Sequence, residues 1–563
     1  MQNIKKITSE TYLFYAVFVS LALLYIWGIT RQRLFPFVDL PDHLAAATIY
    51  RYYSDSQTLF KSFYELNTFL KPNVFHLMFC SLPVFASVEV ANKVYLCIYA
   101  IVFPLSTLIA IRYCKGNKWF ALLSFLMLYN FNVMWGFMGY MMAVPLFIIT
   151  YVSIVRYVNK SNISYAVISM GMMVLLFFVH VQIAVFAAGM LFAVIIFSYR
   201  RAVVAGFRKL WIAVPSLFLI LFWWHSNGGE KKYGGTLSYL IWYWLNEFLR
   251  VLHKRWNLCI IDNAFLFDFQ HLDLALIFTL PIIAFGLHFF LFYGIQGIRH
   301  MLPQEGKAFA LLLGISMVCF FILPHGIPDQ YYVYERFSVI FFLAFIIILS
   351  VLYERLKKTD SMHSFSVGRL LVSIFIICVC GKLLSFQFRI WIVALSSVAV
   401  GCAWFWIRYE WIKKVLFLTL VVIHAHLYNH SFSTFNNNNE KFTPDFFSAL
   451  SIGEPFTAAI YEIAYKSLPA YIHFPSYYVV WNKGNARMSI TDFRFATIRL
   501  RKAVSLPPYE EWVGIHPEID LSMYDGARYI FTRGIYPSSA QNFFSAYQIV
   551  NMQGEYRIYE KKQ

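Results

Sequence analysis

The sequence predicts an all-α polytopic membrane protein of about thirteen transmembrane helices, followed by a small C-terminal extramembrane α/β domain. Three observations carry that expectation. The chain is 60% hydrophobic and only 13% charged, with a mean hydropathy of +0.58. Its apolar residues fall in repeated blocks near the roughly 20-residue length that crosses a bilayer. Residues 430–563 lack such blocks and instead alternate short apolar runs with turn residues.

Taken in order, the expected spans are 11–29, 93–111, 119–134, 138–155, 163–179, 181–198 and 210–224, then 272–295, 308–323, 337–354, 367–383, 389–407 and 414–429. Lys5 and Lys6 precede the first block and no small-residue cleavage site follows it, which reads as a retained anchor. Spans 163–179 and 181–198 have almost no connector, so His180 and Gln182 mark the turn between them. Asn130, Asn132, Gly136 and Gly139 break the run between 119–134 and 138–155. The stretch 75–85 is too short for a crossing and contains Pro83, so it reads as a juxtamembrane or half-membrane helix. Residues 44–66 read as an amphipathic helix lying along the surface.

A formal charge of +18 invites a nucleic-acid reading. Its placement argues against one. Lys and Arg fall in short clusters between the apolar blocks: Arg112/Lys115/Lys118, Arg156/Lys160, Arg200/Arg201/Arg208/Lys209, Arg299/Lys307, Arg355/Lys357/Lys358 and Arg408/Lys413/Lys414. With a cytoplasmic N-terminus and thirteen crossings, all six lie on the cytoplasmic side, as the positive-inside bias requires. Membrane lipids are then the expected partner of the basic groups, and the outer face owns segments 30–92, 225–271 and 324–336 and the tail from 430. The domain plan is a transmembrane unit over 1–429 and an extracytoplasmic mixed α/β unit over 430–563. In the tail, 456–466 reads as a helix, 477–481 and 527–531 as strands, and 547–550 with 556–559 as a hairpin across Gln553-Gly554. Asn436–Asn439 reads as a polar tether ahead of it. The eight cysteines sit mostly in apolar blocks and none in the tail, and Cys378-x-Cys380 has no nearby His or Asp, which argues against both a disulfide scaffold and a metal site.

Chemistry is to be sought on the outer face. Phe35-Pro-Phe-Val-Asp-Leu-Pro-Asp-His-Leu44 places two carboxylates and an imidazole at the mouth of the bundle, where exposure to lipid would be costly. Pro41 favours an extended approach carrying Asp39 and a helical turn carrying Asp42 and His43. Asp42 then either caps that helix or works as a base, and Asp39 is the other candidate base. His43 is suited to an acceptor group, a donor phosphate or a divalent cation (Mg or Mn), or to a structural bond. No second cluster at metal-ligand spacing accompanies it, and no cofactor is assigned.

A second constellation, Pro324-His-Gly-Ile-Pro-Asp-Gln-Tyr-Tyr-Val-Tyr-Glu-Arg-Phe337, offers His325, Tyr332 and Arg336 toward a substrate or donor phosphate. Arg336 at the membrane edge can fork onto two phosphate oxygens. Neighbours in sequence do not project together from a helix, so a Glu335–Arg336 pair is geometrically poor. A third segment, with Trp224, Lys231, Lys232, Trp242, Trp244, Arg250 and Arg255, reads as an interfacial helix beside anionic headgroups or a sugar-stacking surface.

One crossing, a large outer loop opened by an acidic residue, many further crossings and an outer C-terminal domain: this layout resembles the GT-C superfamily of integral-membrane glycosyltransferases. The resemblance implies a polyprenyl-phosphate sugar donor and a catalytic carboxylate in the first outer loop. That role maps onto Asp39 in Val38-Asp-Leu-Pro-Asp-His43, with Asp42 as its rival. It also implies a basic residue at the donor phosphate, for which Arg336 in Tyr334-Glu-Arg-Phe337 is the nearest match. The Tyr547-Gln-Ile-Val and Gly554-Glu-Tyr-Arg-Ile-Tyr559 runs are similar to the ends of bacterial members, which implies a bacterial inner membrane. Neither a Trp-Trp-Asp signature nor an acidic-arginine opening is present. The acceptor therefore stays open among glycolipid, polysaccharide and protein. The competing readings are a polysaccharide polymerase or ligase of another membrane fold, a lipid-linked-saccharide transporter, and a noncatalytic assembly subunit.

Overall fold

Among the described residues of the computed structural model, eight helices are long and apolar enough to cross a membrane. The structure describes residues 9–226, 293–327, 330–358, 410–492, 496–501, 521–524 and 527–562, together with positions 255, 286, 290, 504 and 506. The spanning helices are α1 (Ser9–Arg31), α4 (Val88–Tyr113), α5 (Met138–Lys160), α7 (Val181–Ser198), α8 (Val203–Ser226), α9 (Gln304–Ile322), α10 (Phe337–Lys358) and α11 (Glu410–Asn438). Two short helices, α2 (Leu40–Arg51) and α3 (Phe75–Cys80), follow α1, and α6 (Ile163–Val179) is an apolar helix of 17 residues. The chain is therefore an all-α, multi-spanning membrane protein with a small C-terminal domain bearing a few strands. Thirteen were expected, and eight are found among the described residues. Spans 272–295, 367–383 and 389–407 lie largely or wholly outside the described residues.

The expected span 119–134 is instead a 3-10 segment, Lys118–Met127, followed by a single turn at Phe131–Met134. It threads the middle of the bundle, packed by α1, α4, α10 and α11. Irregular backbone at membrane depth survives only where other groups meet its carbonyls. Here tyrosines from three surrounding helices do so. Tyr25 donates to the Phe125 carbonyl at 3.2 Å, Tyr99 to that of Leu128 at 3.0 Å, and Tyr428 to that of Tyr129 at 2.8 Å. Apolarity alone could not separate such a buried plug from a lipid-facing helix.

Basic helix ends gather at one end of the bundle. Lys414 pairs with Glu10 at 2.7 Å, Trp119 donates to the same carboxylate at 3.2 Å, and Lys118 reaches Thr11 at 2.9 Å. Asn117 donates to Glu354 at 3.2 Å, and Glu410 joins Lys413 and Lys357. The opposite end holds α2, residues 130–137, the α6–α7 junction, residues 325–336 and the tail.

Within the tail, a five-stranded mixed sheet has the order β5-β4-β7-β9-β8. Its strands are β4 (Pro455–Ile460), β5 (Asn485–Ala486), β7 (Tyr529–Arg533), β8 (Tyr547–Gln553) and β9 (Tyr556–Lys561). β4 lies parallel to β5 and β7, while β7–β9 and β8–β9 are antiparallel. The expected hairpin at Gln553-Gly554 is present, with Gly554 at φ +63°. Two tail expectations fail. The stretch 456–466 begins as strand β4, not a helix, because a strand buried on both faces reads as a continuous apolar run. Tyr477–Asn482 is a helix, α12, despite its strand-like residues, because it packs on α2.

The segment after α1 and the tail are joined by a strand pair. β1 (Tyr64–Leu66) pairs antiparallel with β6 (Ile498–Leu500). α2 stops at Arg51 and is buried through Leu44–Ile49, so it is not the surface-lying helix expected over 44–66. Nor is Asn436–Asn439 a loose tether. α11 runs unbroken to Asn438; the Asn436 Oδ1 accepts from the Arg33 and Leu34 amides at 3.0 and 2.9 Å, and Asn439 is buried against Tyr471 and Tyr556.

Candidate functional site

α2 begins at Asp39, which occupies the N-cap with helical angles (φ −85°, ψ −3°) instead of the extended approach expected, and its carboxylate makes no cap bond. Its backbone is held from below: the Val38 amide donates to Met134 O at 3.0 Å and the Asp39 amide to Trp135 O at 3.1 Å. The Asp39 side chain remains 32% exposed. Asp42, one turn on, is buried. It is no helix cap either. Its Oδ1 accepts from the Ser476 hydroxyl and its Oδ2 from the Ile490 amide at 3.2 Å, both in the tail.

Between the two carboxylates stands His473. Its Nε2 lies 3.5 Å from Asp39 Oδ1 and its Nδ1 lies 3.6 Å from Asp42 Oδ2. Nothing in the sequence flagged it. A single histidine in Tyr471-Ile-His-Phe-Pro475 carries no spacing that ties it to a motif more than four hundred residues earlier. The His43 ring meets that of His76 at 5.6 Å, and burial lowers its pKa against the opposing pull of Asp39 and Asp42. His76 is pushed down to about 3 by burial, while its Nε2 meets Asn92 Oδ1 at 3.0 Å.

Residues 325–327 and 330–336 adjoin this group. Glu335 is buried and bonds His325 Nδ1 through one oxygen, so Glu335 and Arg336 take different partners. Arg336 donates from Nη1 to Gln182 Oε1 at 2.8 Å and lies over the Phe137 ring at 4.9 Å. Tyr140 donates to its carbonyl. Burial lowers the Arg336 pKa to about 10, opposed by Tyr140, Glu335 and Asp39, so the guanidinium keeps its charge at neutral pH. Tyr332 has φ +58°, a strained value for a side chain of its size. Its ring packs against those of Trp135 at 4.6 Å, His325 at 4.9 Å, Phe137 at 5.5 Å and Phe131 at 5.6 Å. Burial raises the Tyr332 pKa, and the negative charges of Asp39 and Glu335 add to the rise.

Asp39, Tyr332 and Arg336 thus share one electrostatic neighbourhood, with Asp42 and His43 behind it and His325 on its far side. Gln182 and Trp135 join it, the former having been legible only as a turn residue. Of segment 225–271 only His225 and Ser226, at the end of α8, and Arg255 are described; Arg255 is buried, donates to Leu323 O at 2.5 Å and lies over the Tyr334 ring at 4.0 Å. Among the described residues no group of three or more His, Cys, Asp and Glu side chains is arranged to hold a metal ion. No family model matches the chain, and no curated protein matches it in sequence.

Proposed function

We propose that the chain is a membrane glycosyltransferase that moves a sugar from a polyprenyl-phosphate donor to a hydroxyl of a glycolipid, polysaccharide or protein acceptor. One observation carries the reading. A partly open carboxylate, Asp39, lies at the end of the bundle away from the basic clusters; its amide bonds the Trp135 carbonyl at 3.1 Å, and the buried Arg336 guanidinium lies over the ring of Phe137, two residues on, at 4.9 Å. That is the pair a direct displacement at the anomeric carbon needs: a base for the incoming hydroxyl and a cation for the leaving phosphate.

In this reading the prenyl chain lies among the helices and its phosphate turns toward Arg336. The acceptor hydroxyl gives its proton to Asp39 as its oxygen bonds to the anomeric carbon. The anomeric carbon–phosphate oxygen bond breaks, and the phosphate leaves with the electron pair, inverting the sugar carbon. Asp39 is favoured over Asp42 because both Asp42 oxygens already accept bonds from the tail, whereas Asp39 makes no cap bond and stays accessible. Tyr332 and Trp135 offer aromatic faces suited to a sugar ring. The gathering of basic helix ends at one end supports a site-bearing end outside the cytoplasm, under the positive-inside bias, in a bacterial inner membrane.

The test is Asp39→Asn in the purified full chain, reconstituted with a polyprenyl-phosphate hexose and read as release of polyprenyl phosphate. Loss of roughly 10²- to 10⁴-fold with an unchanged elution volume is expected. Full transfer by the variant overturns the reading, and so does cysteine labelling that puts positions 39 and 336 in opposite compartments.

A further inference from the structure

We infer that His473, delivered by the C-terminal domain, is the proton-relay residue of this site: it takes the proton that Asp39 collects, with the Asp42 carboxylate at the other edge of its ring favouring that proton. The transfer step rests on the proposed function; the coupling of the three side chains does not.

The geometry is specific. An imidazole has two nitrogens on opposite edges, and here each faces a different carboxylate, Nε2 toward Asp39 at 3.5 Å and Nδ1 toward Asp42 at 3.6 Å. The two carboxylates are not equivalent. Asp42 is buried and fixed, with Oδ1 taken by Ser476 and Oδ2 by the Ile490 amide. At 3.6 Å His473 Nδ1 makes no hydrogen bond to Asp42, so Asp42 acts on the ring through its charge, and the two carboxylates together favour a proton on the imidazole.

The protons balance. Asp39 carboxylate becomes carboxylic acid as the acceptor hydroxyl attacks. It then passes that proton to His473 Nε2, and the imidazolium stands between two carboxylates until water removes the proton. Asp39 is ready for the next acceptor without having to lose its proton beside a negatively charged donor. The charged and titratable groups facing His473 from the adjoining helix are Asp39, Asp42 and His43. The arrangement also explains why the site is built from two distant parts of the chain. α2 supplies the acids and the tail supplies the histidine, so an undocked tail leaves a carboxylate with no relay.

Two measurements on the full chain separate the relay from the function it serves. Nitrogen-15 histidine NMR in detergent, with His473 assigned by its loss in His473→Gln, reads the coupling without any substrate. Asp39→Asn and Asp42→Asn are each expected to lower the His473 pKa by about one unit. A His473 resonance indifferent to both substitutions overturns the relay, whatever the protein catalyses. The second readout is release of polyprenyl phosphate from a polyprenyl-phosphate hexose. His473→Gln is expected to cut turnover by about 10²-fold with the donor KM unchanged, and to shift the acid limb of the pH–rate profile, which then reports Asp39 alone. If His473→Gln keeps the wild-type acid limb and its activity tracks its melting temperature, the histidine is a structural clamp and the relay is wrong. An Asp39→Asn enzyme that still transfers overturns the proposed function instead, and leaves the NMR result to decide the coupling.

Discussion

Gly136 lies directly against the backbone of Asp39. A Cβ at Gly136 would sit 2.7 Å from the Asp39 amide nitrogen and 2.9 Å from that of Leu40, and the residue's φ is +82°. Both facts demand glycine: one leaves no room for a methyl group, the other is strained for any side chain. Gly136→Ala is therefore expected to cost about 1–3 kcal/mol and to displace the Asp39 loop. Gly189→Ala is the control, since open space surrounds that position. Thermal unfolding in detergent and the transfer assay should both separate the two variants. Equal behaviour would mean that the contact does not position Asp39.

The Asn436 side chain ties α11 to the chain leaving α1. Its Oδ1 accepts from Arg33 and Leu34 amides, and its Nδ2 donates to Gln32 Oε1 at 3.0 Å and to Leu34 O at 2.8 Å. Asn436→Ala leaves several of these groups unmet and is expected to cost about 2–3 kcal/mol. Asn437→Ala, at an exposed position, is expected to cost under about 0.5 kcal/mol. Melting temperature and the rate of limited proteolysis near residues 439–450 check both values, and a silent Asn436→Ala would remove the clasp from the account.

Where one local force dominates, the sequence was enough. The boundaries of α6 and α7 match the expected 163–179 and 181–198, because each is an uninterrupted apolar run meeting at a single polar residue, His180. The tail hairpin was legible through its turn glycine. The plug at Lys118–Met127 was not, since its carbonyls are met by Tyr25, Tyr99 and Tyr428, whose roles depend on how three other helices pack. β4 and α12 were misread for a related reason: burial on both faces erases the period that distinguishes a strand, and packing on α2 overrides propensity. At the mouth, Asp39 and Asp42 stood out as charges in an apolar chain. What distinguishes them, one open and one bound, comes from Ser476, Ile490 and His473 in the tail, and no local pattern encodes a meeting over that separation.

Arg336 offers a test of the donor side. Its guanidinium stacks over Phe137 while Nη1 bonds Gln182, two contacts that need a planar fork. Arg336→Lys keeps a positive charge but loses both the stack and the fork. Under the proposed function it should raise the donor KM at least about tenfold and leave the acceptor KM near its wild-type value. Steady-state kinetics with varied donor and varied acceptor measure the split. A variant with normal donor KM would exclude Arg336 from phosphate binding.

Acid sensitivity should trace to the histidines behind the site. Burial holds His76 neutral, with its pKa down at about 3, while in the unfolded chain it protonates near 6.5. Between those values the unfolded state binds the extra proton. Stability from this residue is thus full above pH 6.5 and drains as pH falls toward 3, by up to about 1.4 kcal/mol per pH unit. His43, also lowered by burial, adds to the same trend. His76→Asn removes one titrating group, so its melting temperature should fall less than that of the wild type between pH 7 and pH 4.5, even if it starts lower. Parallel wild-type and His76→Asn curves across that range would show that His76 takes up no proton on unfolding, and the acid response would then belong to other groups.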